Sequence, residues 1–351
     1  MSQVSVIVPI YNPGEKLNCC LKSIVNSSYA DIEVILINDG STDDSSTICE
    51  YFKKKDARIT LLHTNREGSI KARDKGVKAA QSPYVMFVDA DDWISPYMIQ
   101  MLYANAVCAK SDITVSNNFR AFHYRGPHRL NRSEYFQTRK LYLEDEIRSS
   151  LVPAFLQGHP FPPNLFGKLY KREMLFSSGN YLRDIHFFGD DLYYNLEMFL
   201  KAKSVLVIPE ALYYYRTGGF TERYMPYLFH DIVSGYRIQK QVIEEYYCDN
   251  RQLMMDGVSI MLLNTLQTCL LNVMRSAYSV KAMEEEIVRH CQHESIREAL
   301  CNEGVIRHFE ADYLAAVHAC DVRYLHKLGR KLYHRSMARK LMQKAASLLL
   351  V

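Results

Sequence analysis

The chain has 351 residues, 48% of them hydrophobic and 23% charged, with modest Gly and Pro; this excludes wholesale disorder and allows one large core or two domains. Net charge is +4 but unevenly placed: residues 322–351 hold eight Lys/Arg and no acid, leaving 35 basic against 39 acidic residues elsewhere. Nine Cys without a C-x-x-C pair, a start at Met1–Val4 with no basic n-region, and no uninterrupted run of about 18 apolar residues together predict a reduced, cytoplasmic protein, at most peripheral on the inner face of the cell membrane.

Val4–Tyr11 is a short apolar, β-branched run closed by Asn12-Pro13-Gly14 and reads as a strand. Leu17, Cys20, Leu21 and Ile24 then recur at helical spacing. Ile32–Ile37 is a second strand, and the polar turn Asn38–Asp44 leads into a helix through Phe52. Ile59–Leu62 is a third strand, Ile70–Ala80 a third helix and Tyr84–Val88 a fourth strand. Near-continuous apolar strands separated by helices predict a mostly parallel sheet covered on both faces, a Rossmann-like α/β arrangement. Such sheets bind ligands at the carboxyl ends of their strands. Asp112–Val115 reads as another short strand, Phe119–Arg139 as an irregular basic and aromatic insertion, and Leu141–Phe155 as helix. Val205–Ile208 and Leu212–Tyr215 read as two strands around Pro209-Glu210. Beyond about Pro226 Gly and Pro nearly vanish and helical periodicity takes over. Residues 1–225 are therefore expected to form the α/β domain and 226–351 a helical region.

Four segments carry chemistry. In Phe87–Trp93 an apolar strand ends in three carboxylates, Asp89, Asp91 and Asp92. Packing them together is unfavourable without a compensating cation or hydrogen-bond donors, and a hard divalent cation, which also binds phosphate oxygens, is the natural partner. The plainer alternative, Asp91 or Asp92 capping a helix near Ser95-Pro96, accounts for one Asp and not three. In Asn38–Asp43, Asp39 follows a strand and precedes Gly40, where it can accept hydrogen bonds from a base or ribose; alone, the segment is a turn plus a helix cap. In Gly68–Gly76, Lys71 and Arg73 bring cations towards a nucleotide, or form a solvated basic face. In Phe187–Leu192, Asp190 and Asp191 open a helix whose Leu192, Leu196 and Phe199 share a face. One of these carboxylates can cap it while the other, between aromatic residues, acts as a general base with a raised pKa. The string His290-Cys291-Gln292-His293 lacks the second ligand pair that zinc requires.

Together, Val4–Asn12, Asn38–Asp43, Ala72-Arg73 with Gly76, Asp89–Trp93 and Gly189–Asp191 resemble glycosyltransferase family 2, whose fold is of the GT-A type. Asn164–Leu175, including Lys168–Arg172, and Tyr213–Arg216 are similar to later segments of its bacterial surface-polysaccharide members. The resemblance covers residues 3–220. It implies inverting transfer from a nucleotide sugar, usually a UDP-sugar, to a glycan or lipid-linked acceptor with Mn²⁺ or Mg²⁺. By position, Pro9 and Tyr11 flank the base, Asp39 contacts the uracil and Arg73 approaches the nucleotide. Asp89, followed by Ala90, sits near the ribose and metal, and Asp91 is the main metal ligand. Asp191 falls where the family keeps its base; Asp190 replaces a more usual Glu, which leaves open which of the two takes the proton. The family's frequent His is missing from Thr217–Phe220.

In the basic tail Leu325, Leu328, Leu332, Leu341, Met342, Ala345 and Leu348-Leu349 recur at helical spacing. That pattern suits an anionic membrane surface or a terminal helix packed on its own domain. No nucleic-acid module accompanies it, so nucleic acid is not an expected partner. Two rival readings remain. A nucleotidyltransferase should carry a Gly-rich basic signature near the first strand, where Tyr11–Gly14 has a single Gly. A non-catalytic glycan- or membrane-binding protein that kept the fold need not retain Asp39, Asp89, Asp91 and Asp191 together.

Overall fold

A run of mostly β-branched apolar residues makes β1 (Val4–Ile10) an interior strand of the sheet, with all but Pro9 of its residues buried. The computed structural model of the chain describes residues 2–121, 124, 126–158, 161–216 and 223–348, with side chains through Ala338 and that of Leu341. β1 pairs in parallel with β2 (Ile32–Asp39) and β4 (Tyr84–Phe87), and β2 pairs in parallel with β3 (Ile59–Thr64). Helices α1 (Lys16–Val25), α2 (Ser45–Lys55) and α3 (Ser69–Ala79) connect them. α1 buries Leu17, Cys20, Leu21 and Ile24, the four residues whose spacing marked its inner stripe.

α3 crosses the sheet at Gly76, where a Cβ would lie 2.4 Å from Ile7 Cγ2 and 3.0 Å from Ile37 Cδ1. Only a hydrogen fits there. Gly76→Ala is therefore expected to destabilise the unit by about 1–3 kcal/mol through overpacking, despite alanine's better helix propensity. Urea denaturation measures it, and an unchanged midpoint would mean that α3 can shift outward at no cost.

The sheet continues through β5 (Trp93–Ile94), then, after α4 (Met98–Ala109), through β6 (Ile113–Ala121), β7 (His128–Leu130), β8 (Lys140–Leu143), β9 (Lys168–Lys171) and β10 (Ser204–Arg216). The order is β3-β2-β1-β4-β9-β6-β10-β5, with β7 beside β6 and β8 beside β10. β9 runs antiparallel to both β4 and β6, so the parallel pairings form two groups, β3-β2-β1-β4 and β6-β10. Three expectations change. The two strands read around Pro209-Glu210 are one strand, because register shifts between Ile208, Ala211 and Tyr213 absorb a residue that cannot donate to the ladder. Lys140–Leu143 is a strand paired with β10, and helix begins only at Glu144. Within 119–139, Phe119–Ala121 extends β6 and pairs with His128–Leu130.

The chain divides into two compact units, the first comprising Met1–Phe155, Pro160–Arg183 and Asp190–Thr217, and the second Leu156–His159, Asp184–Gly189 and Gly218–Val351. The second unit is built on the helix Arg251–Met274, against which the helices Leu228–Tyr246, Glu303–His308 and Val322–Leu348 pack. Cys248–Met274 is long and apolar enough to cross a membrane by length and composition, and half of its most apolar window is buried inside the protein. A central helix contacted from several sides is apolar all round for that reason. The basic tail is the helix Val322–Leu348. Leu325 is fully buried, and a Cβ on Gly329 would lie 3.1 Å from the Leu270 carbonyl oxygen, so the first half of the tail is a packed terminal helix. Leu341 is exposed, while the side chains of Met342, Ala345 and Leu348 and all of Leu349 lie outside the described residues.

Candidate active site

The loops that follow β1 and β2 clamp each other. Asn12, at φ 49°, donates to Thr42 Oγ1 (3.0 Å) and accepts from Thr42 N (2.7 Å), while Gly14 N donates to Asp43 Oδ2 (2.8 Å). Asp39 is almost fully buried. Its Oδ1 accepts from Thr64 Oγ1 (2.6 Å) and Glu67 N (2.7 Å), and its Oδ2 from Gly68 N (2.8 Å). The carboxylate thus holds the 64–68 loop that starts α3, and one acceptor position on Oδ2 is left for a ligand. The Arg66 guanidinium lies 3.7 Å above the Tyr11 ring, a cation–π contact that spacing alone gave no reason to expect. Pro9 is half-buried just before that ring.

Arg73, on the buried side of α3, gathers three carboxylates. Its Nη1 lies 2.7 Å from Asp190 Oδ2 and 3.2 Å from Asp191 Oδ1, and its Nη2 lies 3.4 Å from Asp89 Oδ1. Burial works against its charge, but Asp191, Asp190 and Asp89 outweigh it and raise the guanidinium pKa. Lys71, paired with it in the sequence reading, faces solvent two residues earlier. Both oxygens of Asp190 are bonded: Oδ2 also accepts from Ser69 Oγ (2.9 Å) and Oδ1 from Asp191 N (2.9 Å).

Asp191 differs. Its Oδ2 accepts from Leu165 N (3.2 Å), while Oδ1 accepts no hydrogen bond. Burial pushes its carboxyl up to about 7; Arg73 opposes this, and Asp190 and Asp89 add to it. Behind it Lys168, fully buried, donates to the carbonyl oxygens of Pro162 (3.0 Å) and Asn164. Burial lowers the Lys168 ammonium to about 7, with Asp191 pulling the other way. The lysine pins the loop whose Leu165 N holds the carboxylate. In the sequence, only the family resemblance of Lys168–Arg172 singles this lysine out.

The acidic cluster separates into two functions. Asp92 is buried; its Oδ2 accepts from Tyr213 Oη (2.8 Å) and its Oδ1 from Arg216 N (2.6 Å). Tyr213 Oη in turn accepts from Asp89 N (3.1 Å), and Arg216 Nε donates to the Asp91 carbonyl (2.8 Å). Burial, then Asp89 and Asp91, raise the Asp92 pKa well above the carboxylate range. Asp92 therefore ties the end of β4 to β10. Neither Asp91 nor Asp92 caps a helix, since α4 starts at Met98 behind Tyr97 and has no side-chain cap.

Asp89 and Asp91 are left for a ligand, with side chains 30% and 34% exposed around the buried Ala90. Burial, then Asp91 and Asp190, raise the Asp89 pKa against the pull of Arg73. Asp91 Oδ2 lies 3.4 Å from Lys16 Nζ; Asp91 Oδ1 and Asp89 Oδ2 stand outside these ion pairs. Two accessible carboxylates offering only oxygen donors fit a hard cation such as Mn²⁺ or Mg²⁺. Thr217–Phe220, where the family's frequent His was sought, lies outside the described residues.

The pattern has relatives. Glycosyltransferase GlyA of Streptococcus pneumoniae serotype 4 (strain ATCC BAA-334 / TIGR4) is 34% identical over 225 residues, covering 61% of this chain and 30% of GlyA. The uncharacterized glycosyltransferase EpsJ of Bacillus subtilis (strain 168) is 34% identical over 225 residues, 64% of each chain. The match thus spans less than two thirds of either relative. Among solved structures, S. aureus TarS 1-349 in complex with UDP-GlcNAc has a TM-score of 0.64 at 17% identity, covering 95% of this chain and 92% of that one. Mannosyltransferase PcManGT from Pyrobaculum calidifontis, in complex with GDP-Man and Mn2+, has a TM-score of 0.50 at 15% identity, covering 99% and 87%. Both are likenesses of fold. Residues 5–160 match the family described as Glycosyl transferase family 2, and over that span the chain is similar to it.

Proposed function

We propose that the chain is an inverting glycosyltransferase that moves a hexosyl or N-acetylhexosaminyl group from a UDP-sugar to a glycan or lipid-linked acceptor in surface-polysaccharide synthesis. The observation that carries this reading is Asp191: a largely buried carboxylate whose pKa is raised to about 7, with one oxygen free of hydrogen bonds, in the same site as the accessible Asp89 and Asp91. The family match over residues 5–160 and the UDP-GlcNAc complex of the TarS fold relative support the donor class. Residues 1–225 are the catalytic domain and 226–351 the helical region. The reaction is placed in the cytoplasm, beside the inner face of the membrane where the acceptor is lipid-linked.

In the reaction the Asp191 carboxylate takes the proton of an acceptor hydroxyl as that oxygen bonds to the anomeric carbon. The bond from that carbon to the diphosphate oxygen breaks on the opposite face, and the nucleoside diphosphate leaves with its electron pair. Asp190 and Arg73 hold Asp191 in place. Tyr11 and Pro9 line the base site, and Asp39 accepts from the base through its remaining Oδ2 position. Asp89 and Asp91 would hold Mn²⁺ or Mg²⁺, which supplies charge stabilisation for the departing diphosphate. Metal-dependent UDP release from a panel of UDP-sugars tests the reading. Wild type is expected to hydrolyse one donor slowly without acceptor, and Asp91→Ala to lose both that activity and metal-dependent donor binding by calorimetry. Equal metal-dependent binding by wild type and variant would remove Asp91 from the site.

A further inference from the structure

We propose that His186, His230 and Asp231 form a binding site in the second unit for a divalent transition-metal ion of the Zn²⁺ class. The proposal is independent of the glycosyl-transfer reading. Asp231 lies in the first turn of the helix Leu228–Tyr246 and is 1% exposed. Three backbone N–H groups fix its carboxylate: His186 N on Oδ1 (2.8 Å), and Phe187 N (2.9 Å) and Phe188 N (2.8 Å) on Oδ2. Both acceptor positions of Oδ2 are therefore used, while Oδ1 keeps one.

Two imidazoles converge on that remaining position. Nδ1 of His186 lies 3.1 Å from Asp231 Oδ1 and Nδ1 of His230 lies 3.6 Å from it. One lone pair cannot serve two N–H donors, and 3.6 Å is beyond hydrogen-bonding distance, so mutual hydrogen bonding explains one histidine and not both. A tetrahedral ion with bonds of about 2.0–2.2 Å places neighbouring ligand atoms roughly 3.3–3.5 Å apart, and the two observed separations bracket that value. All three ligand atoms lie within 4.8 Å of one another. The His186 ring is set by parallel stacking on Tyr227 at 4.2 Å. His230 is about half exposed and stands edge-on to the His186 ring at 4.8 Å. Anchoring of the ligating carboxylate by backbone donors is the outer-shell support that metal sites use. Two imidazoles and one carboxylate select Zn²⁺, Co²⁺ or Ni²⁺ over Mg²⁺ or Ca²⁺, with a fourth position open to water. The pair His290 and His293 offers no such site. His290 stacks on Phe229 at 3.9 Å with Nε2 2.9 Å from Glu286, and His293 Nδ1 accepts from Ser295 N.

The test uses the full chain, stripped with EDTA, desalted, and held in excess Mg²⁺ to fill the hard-oxygen sites. Zn²⁺ is then titrated in competition with a chromogenic chelator. Wild type is expected to bind one equivalent that His186→Ala and His230→Ala each weaken at least tenfold, with unchanged circular dichroism. His63→Ala, an exposed histidine of the first unit, is expected to leave binding as it is. A Zn²⁺-induced rise in Tm in wild type, lost in both site variants, is the second readout. No Zn²⁺ binding by wild type would overturn the proposal. So would equal binding by wild type and the two site variants, which would assign the ion to thiols such as the exposed Cys108, Cys248 and Cys301.

Discussion

Asp191→Asn is expected to lower kcat by about 10²–10⁴-fold, the worth of a positioned general base, with the donor dissociation constant within about twofold of wild type. A base acts only when ionised. With the folded pKa raised to about 7, the wild-type rate falls as pH drops through that value, and the variant's residual rate lacks this limb. The stability consequence has a definite sign. A carboxyl whose pKa is raised on folding favours the folded state below its unfolded value near 3.8, and that contribution is lost as pH rises through about 7. Asparagine stays neutral throughout, so at pH 8 the variant is expected to melt no lower than wild type. Large loss of rate without loss of Tm separates removal of a base from damage to the fold. Asp190→Asn is the control: it disturbs the bonds to Ser69 and Arg73 yet should keep a limb set by Asp191. Near-normal transfer by Asp191→Asn, or a limb that vanishes only in Asp190→Asn, would reassign the proton to Asp190.

This assignment marks how far the sequence could be read. Asp190 and Asp191 are adjacent and chemically identical, so their order along the chain cannot say which is spent on architecture. The distinction arises from what comes to meet them: Ser69 and Arg73 from α3, more than a hundred positions away, both bond Oδ2 of Asp190, while Asp191 accepts one hydrogen bond, from Leu165 N, beside its ion pair with Arg73. The same holds at the end of β4. Three neighbouring carboxylates announced a charged site, but the partners that remove Asp92 from it, Tyr213 and Arg216, lie on β10.

The parallel core was legible because each of its strands is a near-continuous apolar run bounded by turn residues, and the α1 stripe repeats at helical spacing. Segments whose pairing is set by distant partners were not. Lys168–Lys171 carries two lysines in four residues and still becomes an interior strand, because Lys168 finds carbonyl acceptors and Lys171 finds Asp112. Lys140–Leu143 leads into a helical stretch and is recruited to β10 by register alone. Such local patterns are ambiguous until the partner is known.

Arg73→Met should produce the largest change in stability. Methionine keeps most of the length of the side chain and removes its charge, leaving Asp89, Asp190 and Asp191 with no cation among them. Stripping the partner from a buried ion cluster costs about 3–5 kcal/mol, because charges already desolvated are left uncompensated. The cost should depend on pH with the sign opposite to ordinary acid denaturation. Without Arg73 the carboxyls hold protons in the folded state that they release when unfolded, so the variant gains stability as pH falls from 8 towards 5. Urea midpoints at the two pH values measure this. Adding Asp191→Asn to Arg73→Met removes one of the stranded charges and should recover part of the loss, a coupling on the order of 0.5–3 kcal/mol. A loss below about 1 kcal/mol that is insensitive to pH would mean that the three carboxylates are solvated well enough to need no partner. Burial could then no longer account for the raised pKa of Asp191, and its role as base would have to rest on rate measurements alone.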